Sequence, residues 1–423
     1  MCIALPASLA RTAYSEAIFS VFLEHYLPQC GHPYSWVEAL LRLRDNVPAV
    51  RLGFDAISLT TIGMRDSHPT LIQAGHSSMT PALTETIKIA NDQGRTARTS
   101  ILGASMMLSM FEILIGTPNH VEPARAQTWL VHVHGQLDIL EENGPHEYRE
   151  GIGHELYTAA RMALMITGIK NRKRVPLLDK EGWGTIPWEV HAKSPKDRLI
   201  DIWGEVGGVL EDVDSARATA DANKKRTLKK RITLAASVLL ARLRDWHGEM
   251  GPLMEFRDTN GDVIAIVGRE DLIQADIALM YWTTCLLVSF TTHLVADGSD
   301  TPLPCTDPII YIRFITAAMP YFWQPAAGLL GVQVTSFPLA LCLHVLCVLR
   351  DTRTTELTGS VMELFRQQEG KANIAGFLSS IQMDIGDLHW QDKLDLLGLR
   401  HEPRAEQQDL ACHMDFVEAP FPS

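Results

Sequence analysis

Residues 15–27 read SEAIFSVFLEHYL, with Ile18, Phe19, Phe22, Leu23 and Tyr26 at the i, i+3, i+4, i+7 spacing of an amphipathic helix. Pro28 then removes the N–H that would continue it. The same period recurs along most of the chain. Residues 34–43 repeat it with Trp36, Leu40 and Leu43, and residues 49–64 form a third helical stretch ending at the turn-like Asp66-Ser67-His68-Pro69. Residues 69–89 predict a fourth, broken or kinked at Pro81, and residues 99–115 a strongly apolar, central helix stopped by Gly116 and Pro118.

Further on, residues 171–196 mix charges, Gly182, Gly184, Trp183, Trp188 and prolines, and read as a long ordered loop. Helix returns over 198–210, and residues 215–243 read as one long helix, polar first and apolar after Ile232. Residues 271–294 form another core helix, and 311–349 two more, interrupted near Pro325 and Pro338. No segment shows sustained period-2 alternation; Val263 to Val267, after Asn260-Gly261, is a loop excursion or short hairpin. The expected fold is therefore all-α, an irregular multi-helix bundle over residues 1–350. A helical to acidic C-terminal segment, 351–423, either packs on it or is partly mobile.

The composition narrows the classes. The 423 residues are 46% hydrophobic, enough to bury a large core. The chain carries 38 basic and 50 acidic residues, a net charge of -12. Direct nucleic-acid binding is not expected, because phosphate grips need clustered Lys and Arg. Seven scattered cysteines, an odd number, make no disulfide framework and fit a reducing compartment, nuclear or cytoplasmic. The first ten residues lack the pattern of a secretory signal. Residues 328–349 carry no formal charge, but Pro338, Gln333 and His344 favour a buried core helix over a membrane span.

Several segments, taken in order, carry a resemblance. They are residues 35–40 (SWVEAL), 49–64 (AVRLGFDAISLTTIGM), 102–112 (LGASMMLSMFE), and Trp129-x-x-His132-x-x-Gly135 followed by Gly144-Pro145. Together they resemble the fungal-specific transcription factor domain, the regulatory region of zinc binuclear-cluster activators. That resemblance implies an all-helical, ligand-sensing regulatory domain. Such factors begin with six cysteines holding two zinc ions. Here residues 1–30 contain only Cys2 and Cys30, and no C-x-x-C pair occurs, so the DNA-reading half is expected to be absent.

The candidate chemistry is sparse. His132 lies one turn from Trp129 and shares its face, and Glu112 interrupts an apolar helix. A Glu112–His132 pair fits either a general acid/base dyad or a structural clamp between core helices; His134 joins the candidates. Cys342-x-His344-x-x-Cys347 has ligand-type residues, but on a helix Cys342 and His344 diverge by about 200°, so no metal is expected. The run 224–231 (KKRTLKKR), a local basic cluster within an acidic chain, is a nuclear-import signal, a phosphate patch or a solvated helix face. Trp129, Tyr281, Trp282, Tyr321 and Trp323, with Met110 and its neighbours Met106 and Met107, either line a hydrophobic ligand pocket or fill the core. Asp276 and His293 are the polar handles on that stretch. No cofactor or hydrolase signature occurs, and no cofactor is expected.

Two functions follow. One is a regulatory or interaction protein tied to secondary metabolism, binding a hydrophobic small molecule or a partner protein, with a homodimer compatible. The other is a repurposed cofactor-independent enzyme, a cyclase or isomerase, including a pericyclic one, acting on a hydrophobic secondary metabolite. Its catalytic candidates are Glu112, His132, His134 and Asp276.

Overall fold

Apolar stripes at helical spacing become helices that hide those stripes against one another. The computed structural model describes residues 7–26, 36–91, 95–116, 122–294, 307–349 and 355–369. These form α1 (Ala7–Tyr26), α2 (Trp36–Arg44), α3 (Pro48–Arg65), α4 (Pro69–Ala90), α5 (Arg95–Leu114), α6 (Glu122–Asn143) and α7 (Gly151–Asn171). After them come α8 (Pro176–Asp179), α9 (Pro195–Ala218), α10 (Ala222–Met250), α11 (Arg269–His293), α12 (Pro308–Phe322), α13 (Gly328–Leu349) and α14 (Thr355–Glu369). Among the described residues there is no strand; Arg257 and Val263 form one isolated bridge, so the hairpin-like stretch is a turn. The fold is all-α. Residues 370–423 lie outside the described residues.

Local signals explain most boundaries. Pro48 and Pro69 open α3 and α4 at the first turn, where a missing N–H costs nothing. Between them Ser67 adopts a left-handed φ of 52°, and the His68 N–H donates to Gly63 O at 2.7 Å, closing α3 in a Schellman-type end. At Gly75 a Cβ would stand 2.1 Å from Thr60 Oγ1 and 2.8 Å from Ala56 O, so glycine lets α4 lie directly on the α3 backbone. Gly207 does the same for α9 at the end of α7, where a Cβ would lie 3.1 Å from Gly168 O and 2.4 Å from Lys173 O just beyond the helix.

Three expectations change. Pro81 does not break α4, and Pro338 does not interrupt α13. A proline inside a helix costs about 3 kcal/mol. Leu339, Leu341, Val345 and Leu346 on α13 are all buried, each contributing roughly 1.5–3 kcal/mol, so burial wins. Before Pro338, the Thr335 and Ser336 hydroxyls donate back to the carbonyls of Gly331 and Val332 at 2.8 and 2.6 Å. The single helix expected over 215–243 is two: α9 ends at Ala218, and Asp221 starts α10 by accepting from the N–H groups of Asn223 and Lys224 at 2.8 and 3.2 Å.

The core lies along α5, α11 and α13. By length and composition, α11 and the stretch Pro325–Leu349 would suffice to cross a membrane, and they are 78% and 72% buried inside the protein. A polar knot ties α1 and α2 to α13. Trp36 Nε1 donates to Tyr26 Oη at 2.7 Å, the Tyr26 hydroxyl donates to Gln333 Oε1, and Gln333 Nε2 meets Met110 Sδ at 3.8 Å. In the C-terminal segment, α14 packs against α12 and α13.

Candidate functional site

Four helices meet around a cleft of about 480 Å³. Helix α2 contributes Glu38, Ala39, Leu41 and Arg42, and α7 contributes Glu155, Thr158, Ala159 and Met162 at the i, i+3, i+4, i+7 spacing of one helix face. Lys196, Asp197 and Ile200 come from the first turns of α9, and Arg269 from the start of α11. The walls are charged and the floor is apolar. Arg42 Nη1 lies 3.1 Å from Glu155 Oε1, and Arg269 Nη2 lies 3.5 Å from Glu38 Oε2. Burial raises the pKa of Glu38 above the usual carboxylate value, and Glu155 adds to the rise; Arg269 and Arg42 oppose it.

A buried ionic frame stands behind the cleft. Arg161, 2% exposed, donates from Nη1 to Asp197 Oδ1 at 2.9 Å and from Nη2 to Asp201. Its guanidinium lies 5.0 Å from the centre of the Trp188 ring, and Lys193 Nζ, which also bonds Asp201 at 2.6 Å, lies 5.3 Å from the same ring. Asp197 closes a capping box with Ser194, each accepting from the other's backbone N–H at 3.1 Å. One carboxylate therefore fixes both the start of α9 and the position of Arg161. Burial pushes the neighbouring Tyr157 phenol up to about 12, so it stays protonated.

The residues singled out in the sequence fall into three places. Asp276, 6% exposed, receives Lys196 Nζ at 2.5 Å and so holds one wall of the cleft from behind. Glu112 and Trp129 are each 2% exposed, on α5 and α6, which pack together. Ser105 Oγ donates to His132 O at 3.1 Å, and Gln136 Nε2 donates to Ser109 Oγ at 3.2 Å, joining those helices. His132 is part-buried, and desolvation lowers its pKa to about 4, so it is neutral at pH 7. His134 lies on the exposed side of α6. Met110 belongs to the polar knot.

The aromatic set divides. Trp282 and Tyr321 share Phe256, at 5.5 and 5.2 Å between ring centres, and Trp282 also stacks on Phe314 at 5.3 Å. Tyr281 stacks instead on Trp246 and His247, at 5.3 and 5.2 Å, and Trp323 caps the end of α12. None of these residues lines the cleft. Cys342 and His344 are both fully buried in α13, and His293 is exposed at the end of α11. Among the described residues no group of three His, Cys, Asp or Glu is placed to hold a metal ion. Lys224, Lys225, Arg226 and Lys230 are exposed at the start of α10, while Arg231 pairs with Asp212 through Nε at 2.7 Å.

Sequence reading passed over Arg42, Glu155, Lys196, Arg269 and the Arg161 frame. Each sits in an ordinary amphipathic helix or near a helix start, where charged residues are expected. The one usable signal was Arg161 in the apolar run of α7, a helix whose residues were not singled out. No protein-family model matches the chain, and comparison with curated proteins and with solved structures finds no match.

Proposed function

We propose that this chain is a ligand-responsive regulatory protein, built like the regulatory domain of fungal zinc-cluster transcription factors and acting through a partner protein. The observation that carries the reading is the cleft of about 480 Å³, shared by α2, α7, α9 and α11. Its volume falls in the range of small-molecule pockets, roughly 300–1,000 Å³, but six of its twelve lining residues are charged and none is aromatic, so it suits a charged ligand rather than a purely apolar one. A molecule held there touches helices from both the N-terminal and central parts of the chain. Its differential contacts can shift how they pack, as population-shift regulation requires. The order of the N-terminal motifs and the all-helical architecture support the family resemblance, and the exposed basic start of α10 fits a nuclear or cytoplasmic place of action.

The enzyme reading rests on Glu112, a carboxylate 2% exposed on an apolar helix. His132 weakens it as an acid/base partner, because an imidazole with a pKa of about 4 is a poor base at neutral pH. The regulator is therefore preferred over a cofactor-independent cyclase or isomerase.

Native mass spectrometry of the full chain against a mixed small-molecule library tests the proposal. The comparison is with Thr158→Trp, which fills the cleft from α7. A bound mass present in wild type and lost in the variant upholds the reading. A wild-type mass that no compound shifts overturns it.

A further inference from the structure

The charges in the cleft are not equally committed. Lys196 is held by Asp276 at 2.5 Å, with both side chains about a tenth exposed. Asp197 is held by Arg161 and by its own capping box. The remaining four, Glu38, Arg42, Glu155 and Arg269, form two looser pairs with 31–66% of each side chain exposed. Pairs of that kind contribute about 0–1 kcal/mol, so an incoming ligand exchanges partners with them at little cost.

Their order matters. Glu38 and Arg42 are four residues apart on α2, which places them on one face about 6 Å apart along the axis. Glu38 feels Arg269, Glu155 and Arg42 together, so the four charges alternate in sign within one electrostatic neighbourhood. A ligand with a single charge gains one charge-assisted pairing and leaves the displaced partner to solvent. A ligand with both charges re-pairs both members, its carboxylate on a guanidinium and its ammonium on a carboxylate. Ala39, Ala159, Met162 and Ile200 then offer an apolar surface to the rest of the molecule.

We infer that the cleft binds a zwitterion of amino-acid type with a short unbranched or lightly branched apolar body, by re-pairing Glu38, Arg42, Glu155 and Arg269. This rests on the ligand-binding reading above and names the class of ligand.

Isothermal titration calorimetry on the full chain tests it with three matched probes: L-norleucine, hexanoate, which lacks its amine, and pentylamine, which lacks its carboxylate. Norleucine is expected to bind at least about tenfold more tightly than either single-charge probe. Glu38→Gln and Arg42→Gln are each expected to weaken norleucine by about tenfold while thermal unfolding stays unchanged, since exposed pairs add little stability. Equal affinity for hexanoate or pentylamine, or norleucine binding indifferent to both variants, overturns the inference. So does the absence of norleucine heat when the library yields a singly charged or uncharged compound displaced by Thr158→Trp; in that case the ligand-binding reading survives. If no compound of any class binds, both fall.

Discussion

The Arg161 guanidinium and the Asp197 carboxylate, 36 positions apart in the chain, meet at 2.9 Å with less than a tenth of either side chain exposed. Replacing Arg161 with Met leaves Asp197 buried without its cation and Asp201 with Lys193 alone. Breaking such a pair costs about 3–5 kcal/mol, against total stabilities of about 5–15 kcal/mol. Urea unfolding should show a midpoint far below wild type. A change under about 1 kcal/mol would mean that water already reaches the pair.

His132 makes stability depend on pH. Its pKa is lowered from 6.5 to about 4 in the fold, so between those values the unfolded chain takes up a proton that the folded one refuses. Its contribution is complete above pH 6.5 and is lost as pH falls through 4, a full loss of roughly 3 kcal/mol. Unfolding series at pH 7.5 and pH 5 should differ by about 2 kcal/mol more in wild type than in His132→Gln. The His132 ring resonances in an NMR titration should stay in the neutral form through pH 5.5, a direct check.

Gly75→Ala probes how closely α3 and α4 approach. The new methyl would meet Thr60 Oγ1 at 2.1 Å and the backbone at Ala56 O and Thr60 N at 2.8 Å, so rotating a side chain cannot relieve it. The helices must separate, at a cost of about 1–3 kcal/mol. Gly248→Ala, where no atom lies within 4 Å of the new Cβ, is the control and should leave the melting temperature unchanged or slightly raised.

The α9–α10 break makes its own prediction. Asp221→Ala removes the acceptor for the Asn223 and Lys224 N–H groups and should cost about 1 kcal/mol. Asp221→Ser, which keeps a capping oxygen, should recover most of the loss. If both variants match wild type in denaturant, the cap contributes nothing and the break is set by packing alone.

Much of the architecture was legible in the residues. The stripe of Ile18, Phe19 and Phe22 and the Asp66–Pro69 turn mark real elements, because helix periodicity and turn chemistry act over a few residues. Pro338 misled because a local signal was outweighed by the burial of its neighbours on α13, while α4 runs on through Pro81 without a break. The opposite happened at Asp221, where a capping carboxylate divided a continuous helical pattern. The cleft was the least legible part. Glu38, Arg42, Glu155 and Arg269 are unremarkable charges singly, and only the meeting of α2, α7 and α11 places them together. Asp276 was singled out as a polar group on an apolar helix; its partner Lys196, 80 positions away, could not be read from spacing.

The uncharged helix α13 also sets the order in which the protein can be made. Its neighbours α1, α11 and α12 leave the ribosome first; α11 finds α9 and α10 already made, but the face it turns to α13 must wait. From His293 to Leu349, at about 5–20 residues per second, that wait lasts roughly 3–11 s. For that interval the nascent chain exposes the apolar face of α11 that α13 will cover. Ribosome stalling within 294–349 should therefore turn this chain into a client of holding chaperones, whatever the stability of the finished protein.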